Sequence, residues 1–163
     1  MLKKITSFSA IASVNAAASD HWAVLVAGSK GYDNYRHQAD VCHAYQVLKN
    51  NGVPLDQIIL MSYNDVVQDP TNPLPGTLWN AGTRQDIDPP EPGYNVYPGC
   101  GISYSGDDVT AEAVLAVLTG DSATAGGPVL KTNSNSSVFL FITGLGAPGL
   151  VDMPTNGDSL YAD

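Results

Sequence analysis

The strongest constraint on the fold is a strand–helix–strand pattern near the start of the chain. Residues 21–27, HWAVLVA, form an apolar run typical of a buried strand, and Gly28 ends it. Residues 35–50 repeat apolar side chains at helical spacing, and residues 57–61 form a second apolar run. Because strand–helix–strand crossovers this short are right-handed, the two strands should be parallel neighbours. The pattern predicts an α/β fold.

Two further elements extend this unit. Residues 109–119, VTAEAVLAVLT, predict a second helix, and residues 137–143 predict a third parallel strand. Residues 65–108 are rich in proline and glycine, and residues 121–136 are polar, so both segments predict loops. A long irregular stretch inside a compact domain often borders a site. We therefore expect an open sheet covered by helices, with long loops beside it.

Composition and charge exclude several classes of protein. The chain has 163 residues, of which 44% are hydrophobic and 14% charged, as expected for one globular domain. Its net charge of -9 repels phosphate backbones, so no nucleic-acid partner is expected. No apolar run approaches the roughly 18 residues of a membrane span. The sixteen carboxylates show no calcium-loop spacing, and neither a metal nor a cofactor is expected.

The first residues read as a targeting segment. A basic start with Lys3 and Lys4 is followed by a mildly apolar stretch and by three alanines at 16–18, the order of a secretory signal. We predict a signal peptide over residues 1–18; the alternative is an unstructured tail. The triplet Asn135-Ser136-Ser137 is a glycosylation sequon, which fits a secreted chain.

A glycine-rich hexapeptide follows the third predicted strand. Gly144-Leu145-Gly146-Ala147-Pro148-Gly149 has the spacing of a dinucleotide-binding turn. That turn requires a helix after its third glycine to hold the pyrophosphate. Pro148 and Gly149 stand where that helix should begin, so a dinucleotide site is not expected. We interpret the glycines as a tight turn at the carboxyl end of a strand, where open α/β sheets build their sites.

The two cysteines predict little chemistry by themselves. Cys42 and Cys100 form no C-x-x-C pair, so neither a disulfide framework nor a zinc knuckle is predicted. Cys42 lies on the apolar stripe of the first helix, where a cysteine acts as a small hydrophobic side chain. Cys100 lies in a Gly/Pro loop and is interpreted as an incidental thiol.

The segment HWAVLVAGSKGYDNYRHQADVCHAYQVLKNNG closely resembles the start of the legumain family, the asparaginyl endopeptidases or vacuolar processing enzymes. The likeness continues through IILMSYNDV, NPLPGTLWN, GDDVTAEAVLAVLTGD and VFLFITGLGAPGLVDMP, with residues 34–40 matching at seven consecutive positions. The resemblance implies that residues 19–163 are part of a caspase-like three-layer α/β/α domain with a mainly parallel sheet, of which about the first half is present. It also implies a cysteine peptidase that cleaves after Asn in a vacuolar, lysosomal or secreted setting.

The same resemblance assigns catalytic positions. Asn34 matches the asparagine that orients the catalytic histidine, and Gly146 matches the glycine whose backbone N–H serves the oxyanion hole. Leu145 stands at the position of the family histidine, and leucine cannot move a proton. The family's Glu-Ala-Cys-Glu-Ser-Gly type nucleophile motif does not occur in this sequence. Neither the base nor the nucleophile of a thiol protease is therefore expected.

Arg36 and His37 match residues that line the family's pocket for the substrate asparagine. An arginine beside a carboxylate can bind both halves of an amide side chain, but the family's acidic pocket residues have no match in this sequence. The alternative is that Arg36 caps or pairs near the start of the helix with Asp33 or Asp40. Asp65 is interpreted as a turn residue at the end of a strand.

Two functional classes remain open on the sequence. The first is a legumain-type endopeptidase domain, truncated and inactive as it stands, whose substrate would be a peptide or protein containing Asn. The second is a pseudo-protease that binds peptides or associates with a full-length sister peptidase. A third possibility is a truncated gene copy with no role. A half sheet leaves an edge strand and an apolar face uncovered.

Overall fold

A computed structural model describes residues 20–81, 92–155 and 157–162. The predicted signal peptide, residues 1–18, lies outside the described residues. The main sheet has three strands in the order β2-β1-β5: β1 is His21–Gly28, β2 is Ile58–Met61 and β5 is Ser137–Gly144.

All three strands run parallel, as predicted for residues 21–27, 57–61 and 137–143. β1 is central: Ala23 pairs with Ile58 on one side and with Phe139 on the other. A strand buried on both faces reads as a continuous apolar run, which is why β1 could be recognised in the sequence.

Two helices cover opposite faces of the sheet. α1, Tyr35–Asn50, packs on the face that contains Ala23 and Leu25, and α2, Ala111–Thr119, packs on the face that contains Val24 and Val26. Neighbouring side chains of β1 thus enter different cores, since successive residues of a strand point to opposite faces. The architecture is the expected three-layer α/β/α. None of the described helices is both long enough and apolar enough to cross a bilayer.

The interpretation of the two cysteines was wrong in one respect. Cys42 is buried as expected, but it forms a disulfide with Cys100, and the two Cα atoms lie 5.4 Å apart. The bridge joins α1 to the Pro/Gly-rich segment 65–108. Spacing alone missed it, because the partners are 58 residues apart and only the fold brings them together.

The predicted loops contain short elements that had not been predicted. A two-stranded antiparallel ribbon, β3 (Trp79–Asn80) with β4 (Tyr94–Asn95), lies within residues 65–108. A four-residue helix, α3 (Ser122–Ala125), lies within residues 121–136, where Asp121 accepts hydrogen bonds from two backbone amides of that helix. These elements are too short to show a hydrophobic period.

A second antiparallel sheet follows β5. It consists of β6 (Gly146–Ala147), β7 (Leu150–Asp152) and β8 (Ser159–Tyr161), in that order. In the described residues 150–155 and 157–162 no helix follows the glycine-rich hexapeptide: Gly149 turns the chain from β6 to β7 with φ of 86°. This observation agrees with a tight turn and removes the helix that a dinucleotide site requires.

Candidate functional site

A cavity of about 390 Å³ opens at the carboxyl ends of β1 and β5. The two strands end together, with Gly28 opposite Gly144. The second sheet closes the cavity from the side. Its wall is formed by Gly28, Ser29, Lys30, Asn34, Leu145, Asp152, Met153, Pro154, Gly157, Asp158 and Ser159. This is the edge at which parallel α/β sheets form binding sites.

Asn34 lies on the cavity wall just before α1. Its side-chain amide nitrogen donates to the backbone carbonyl of Lys30 at 3.0 Å. The donor half of the amide is thereby held against the loop after β1. The carbonyl oxygen makes no hydrogen bond to the described residues, so Asn34 offers an acceptor to a partner in the cavity.

Leu145 lies on the same cavity wall and is 47% exposed. Its neighbour Gly146 pairs with Val151 of β7, while the amide of Asp152 donates to the carbonyl of Leu145 at 2.9 Å. This register makes Gly146 and Val151 a non-hydrogen-bonded pair, so the Gly146 N–H points away from β7. A side chain at Gly146 would meet the carbonyl oxygen of Leu150 at 2.5 Å, which explains why glycine stands here.

A buried serine–histidine pair lies behind the cavity. The hydroxyl of Ser29, which lines the cavity, lies 2.7 Å from Nδ1 of His37. Both side chains are buried. Burial lowers the pKa of His37 below its ordinary value, and the nearby charge of Arg36 lowers it further. His37 is therefore a neutral imidazole fixed by Ser29 at neutral pH.

Asp65 does more than end a strand. One carboxylate oxygen accepts from the backbone N–H of Gly31 at 2.8 Å, and the other accepts from Nε2 of Gln38 at 2.6 Å. The loop before Asn34 and the first turns of α1 are thereby tied to the segment after β2. Sequence reasoning did not identify Asp65 or Ser29 as site residues. Their only sequence signal was a polar residue shortly after a buried strand.

The predicted substrate-binding residues lie beside the cavity and are not part of its wall. Arg36 is exposed, and its Nη1 donates to the backbone carbonyl of Asp33 at 3.2 Å. This contact is close to the alternative that paired Arg36 with Asp33, except that the acceptor is a main-chain carbonyl. His37 reaches the cavity only through Ser29.

The site has no sulfur nucleophile of its own. The chain contains two cysteines, and both are joined in the disulfide. Within the described residues, no three His, Cys, Asp or Glu side chains form a group that would hold a metal ion. What the cavity wall offers is an amide carbonyl at Asn34 and the charges of Lys30 and Asp152.

The fold and the position of the cavity define an α/β protein of the caspase-like type, with its site at the carboxyl end of a parallel sheet. Comparison with known proteins agrees: the model of the Peptidase C13 family matches residues 21–163. The chain therefore belongs to the Peptidase C13 family.

Several curated relatives are similar in sequence. The chain is 47% identical to a hemoglobinase of Schistosoma mansoni over 144 residues, which are 88% of this chain and 31% of that protein. It is 44% identical to legumain of Mus musculus over 140 residues, 83% of this chain and 30% of the relative. It is also 44% identical to the vacuolar-processing enzyme beta-isozyme of Arabidopsis thaliana over 144 residues, 86% of this chain and 28% of the relative. The chain thus matches a little under one third of each relative's length.

Proposed function

We propose that this chain carries the amino-terminal part of a legumain-type cysteine endopeptidase site and does not itself hydrolyse peptide bonds. The observation that carries the proposal is the cavity wall, which contains Asn34 and Leu145 but neither a histidine nor a cysteine. A thiol protease needs a thiolate and a base within hydrogen-bond reach of each other. Loss of either group typically costs roughly 10⁴-fold to 10⁶-fold in rate.

The roles that remain are those of binding and orientation. Asn34 would orient an imidazole through its carbonyl oxygen, and the Gly146 N–H would donate to an oxyanion. Arg36, which is exposed at the start of α1, would contact the side chain of a substrate asparagine, whereas the buried His37 would act on the pocket through Ser29. Ser29 would fix the imidazole of His37.

A fluorogenic peptide with Asn before the scissile bond tests the proposal. We expect no turnover from pH 4 to 7 by the purified chain, in the presence or absence of a thiol reductant. Leu145→His should not restore turnover, because no cysteine is placed to act with the new imidazole. Mouse legumain serves as the positive control under the same conditions. Turnover that a thiol-alkylating reagent abolishes would show that a cysteine of this chain has been recruited, and the proposal would be wrong.

A second function is favoured by the exposed edge of the main sheet. Among the described residues β5 pairs only with β1, and its apolar side chains Val138, Phe139 and Leu140 are each nearly half exposed. An uncharged edge strand of this kind is a template for another chain. Under this alternative the chain is a pseudo-protease that associates with a full-length sister peptidase and binds peptides without cleaving them.

We also propose that the chain enters the secretory route, with residues 1–18 as a cleaved signal peptide. The disulfide between Cys42 and Cys100 supports this route, because disulfides persist in oxidising compartments. One of the relatives is named for processing in the vacuole. The amino-terminal residue of the purified mature chain tests this proposal, and we expect Ser19 or Asp20. A mature chain that retains Lys3 and Lys4 would contradict it.

A further inference from the structure

We propose that Asn135 is an acceptor for an N-linked oligosaccharide. Asn135-Ser136-Ser137 is the only Asn-x-Ser/Thr triplet in the sequence. The proposal rests on the secretory route proposed above, since the reaction takes place in that compartment. It adds a covalent modification that is independent of peptide cleavage.

Hydrogen bonds from neighbouring residues hold the turn around Asn135, and the side chain of Asn135 takes no part in them. The side chain of Asn133 accepts from the backbone N–H of Asn135 at 2.9 Å, and the Ser136 hydroxyl accepts from the backbone N–H of Asn133 at 2.8 Å. Asp20 in turn accepts from the side chains of Asn133 and Ser136. Asn135 contributes only its main chain to this arrangement. The turn can therefore form whether or not its side chain is modified.

Both side chains that define the sequon are accessible. Asn135 and Ser137 are exposed, and neither side chain makes a hydrogen bond to the described residues. The acceptor nitrogen of Asn135 and the hydroxyl of Ser137 are the groups that a glycosyl-transfer site must present. A bulky glycan on Asn135 would project into solvent without displacing a native contact.

The position of Asn135 separates the glycan from the candidate site. The turn precedes β5, and Ser137 pairs with His21 at the amino ends of the strands. The cavity lies beyond Gly144 at the other end of β5. Seven residue steps along a strand span about 23 Å, so a glycan on Asn135 would not obstruct the cavity.

The reaction needs a co-reactant of one chemical class, a lipid-pyrophosphate-linked oligosaccharide. The side-chain nitrogen of Asn135 attacks the anomeric carbon of the first sugar. A bond forms between this nitrogen and that carbon, and the bond from the carbon to the pyrophosphate oxygen breaks. The nitrogen loses one proton and the lipid pyrophosphate leaves, without any oxidation or reduction.

The test is expression of the full chain, with its own amino terminus, in eukaryotic secretory cells. We expect a faster-migrating species after treatment with a peptide-N-glycosidase, and a peptide mass that shows conversion of Asn135 to aspartate. Asn135→Gln and Ser137→Ala should abolish both signals. Ser137→Thr keeps the sequon and should retain them. Ser134→Ala is the matched control, because Ser134 is an exposed neighbour outside the sequon and should leave the glycan in place.

A second version, in which a proven secretory leader replaces residues 1–18, separates this proposal from that of the secretory route. A glycan on both versions supports both proposals. An unglycosylated chain from the proven leader overturns the assignment of Asn135, even where the chain is secreted. If only the version with the proven leader carries a glycan, the proposal of the secretory route is overturned. The proposal that the natural chain is glycosylated at Asn135 is overturned with it.

Discussion

His37 links the candidate site to pH at the scale of a single residue. It is 4% exposed, and burial, with a smaller effect of the Arg36 charge, holds the pKa of its imidazole below the ordinary value of 6.5. The carboxylate of Asp40 acts in the opposite direction but does not reverse the shift. Between the folded and unfolded pKa values the unfolded chain binds more protons. The stabilisation that depends on neutral His37 is therefore complete above pH 6.5. It is lost as the pH falls from 6.5 through the lower pKa of His37 in the folded chain.

We expect the ring protons of His37 to titrate at a lower pH in the folded chain than in the urea-denatured chain. An NMR titration of both states measures this difference. His37→Gln should reduce the fall in the free energy of unfolding between pH 6.5 and pH 5, because glutamine does not titrate. Variant and parent share all their carboxylates, so the difference between the two curves reports on His37 alone. Equal pKa values for His37 in the two states would contradict the expectation.

The residues that sequence reasoning missed share one property, which is a partner on a different element that only the fold brings into contact. Ser29 contacts His37 eight residues later, and Asp65 contacts Gln38 at a separation of 27 residues. A single sequence does not show such pairs, because they arise from the crossover that brings β1, α1 and β2 together. Asn34 and Leu145 were identified only because the family resemblance supplied their positions.

At the scale of elements, a clear apolar pattern decided what could be predicted, and it revealed even the four residues of β2, which are all buried. The apolar runs of β1 and β5 and the helical period of α1 each extend over eight or more residues, and their positions were predicted to within about two residues. The ribbon β3–β4 has two residues in each strand, and α3 has four. Elements of this length depend on local caps and tertiary contacts more than on hydrophobic period.

The disulfide should contribute strongly to stability. It closes a loop between residues 58 positions apart, and restricting the unfolded chain over such a loop is worth about 4 kcal/mol. We expect the double variant Cys42→Ala, Cys100→Ala to lose roughly that free energy of unfolding in chemical denaturation.

The control for this prediction is a thiol reductant. It should destabilise the parent by a similar amount and leave the double variant unchanged. A parent whose unfolding midpoint does not change on verified reduction of the bridge would show that the loop closure contributes nothing.

At the scale of the whole molecule, the pseudo-protease alternative depends on the edge of β5, which pairs only with β1 among the described residues. We expect the pseudo-protease alternative to show binding to full-length mouse legumain, measured by surface plasmon resonance. Leu140→Lys should weaken that binding at least about tenfold, because lysine on an edge strand opposes pairing with another strand.

Leu115→Lys provides the matched control for this binding. Leu115 is similarly exposed but lies on α2, away from the edge of the sheet, so its replacement should leave the binding unchanged. Equal effects of the two lysines, in variants with the same melting temperature, would indicate a general charge effect. No binding by the parent would count against the pseudo-protease alternative.

The disulfide between Cys42 and Cys100 also determines whether the chain separates into two pieces after one cleavage of its backbone. Residues 42–100 form a covalent ring through the sulfur atoms, and this ring includes Lys49 and Arg84, two sites for trypsin-like enzymes. One nick inside the ring opens it without separating the two pieces. The nicked chain therefore migrates as a single species in a gel run without reductant, and as two fragments when reductant is added. Intact mass under oxidising conditions then differs from that of the parent only by one added water.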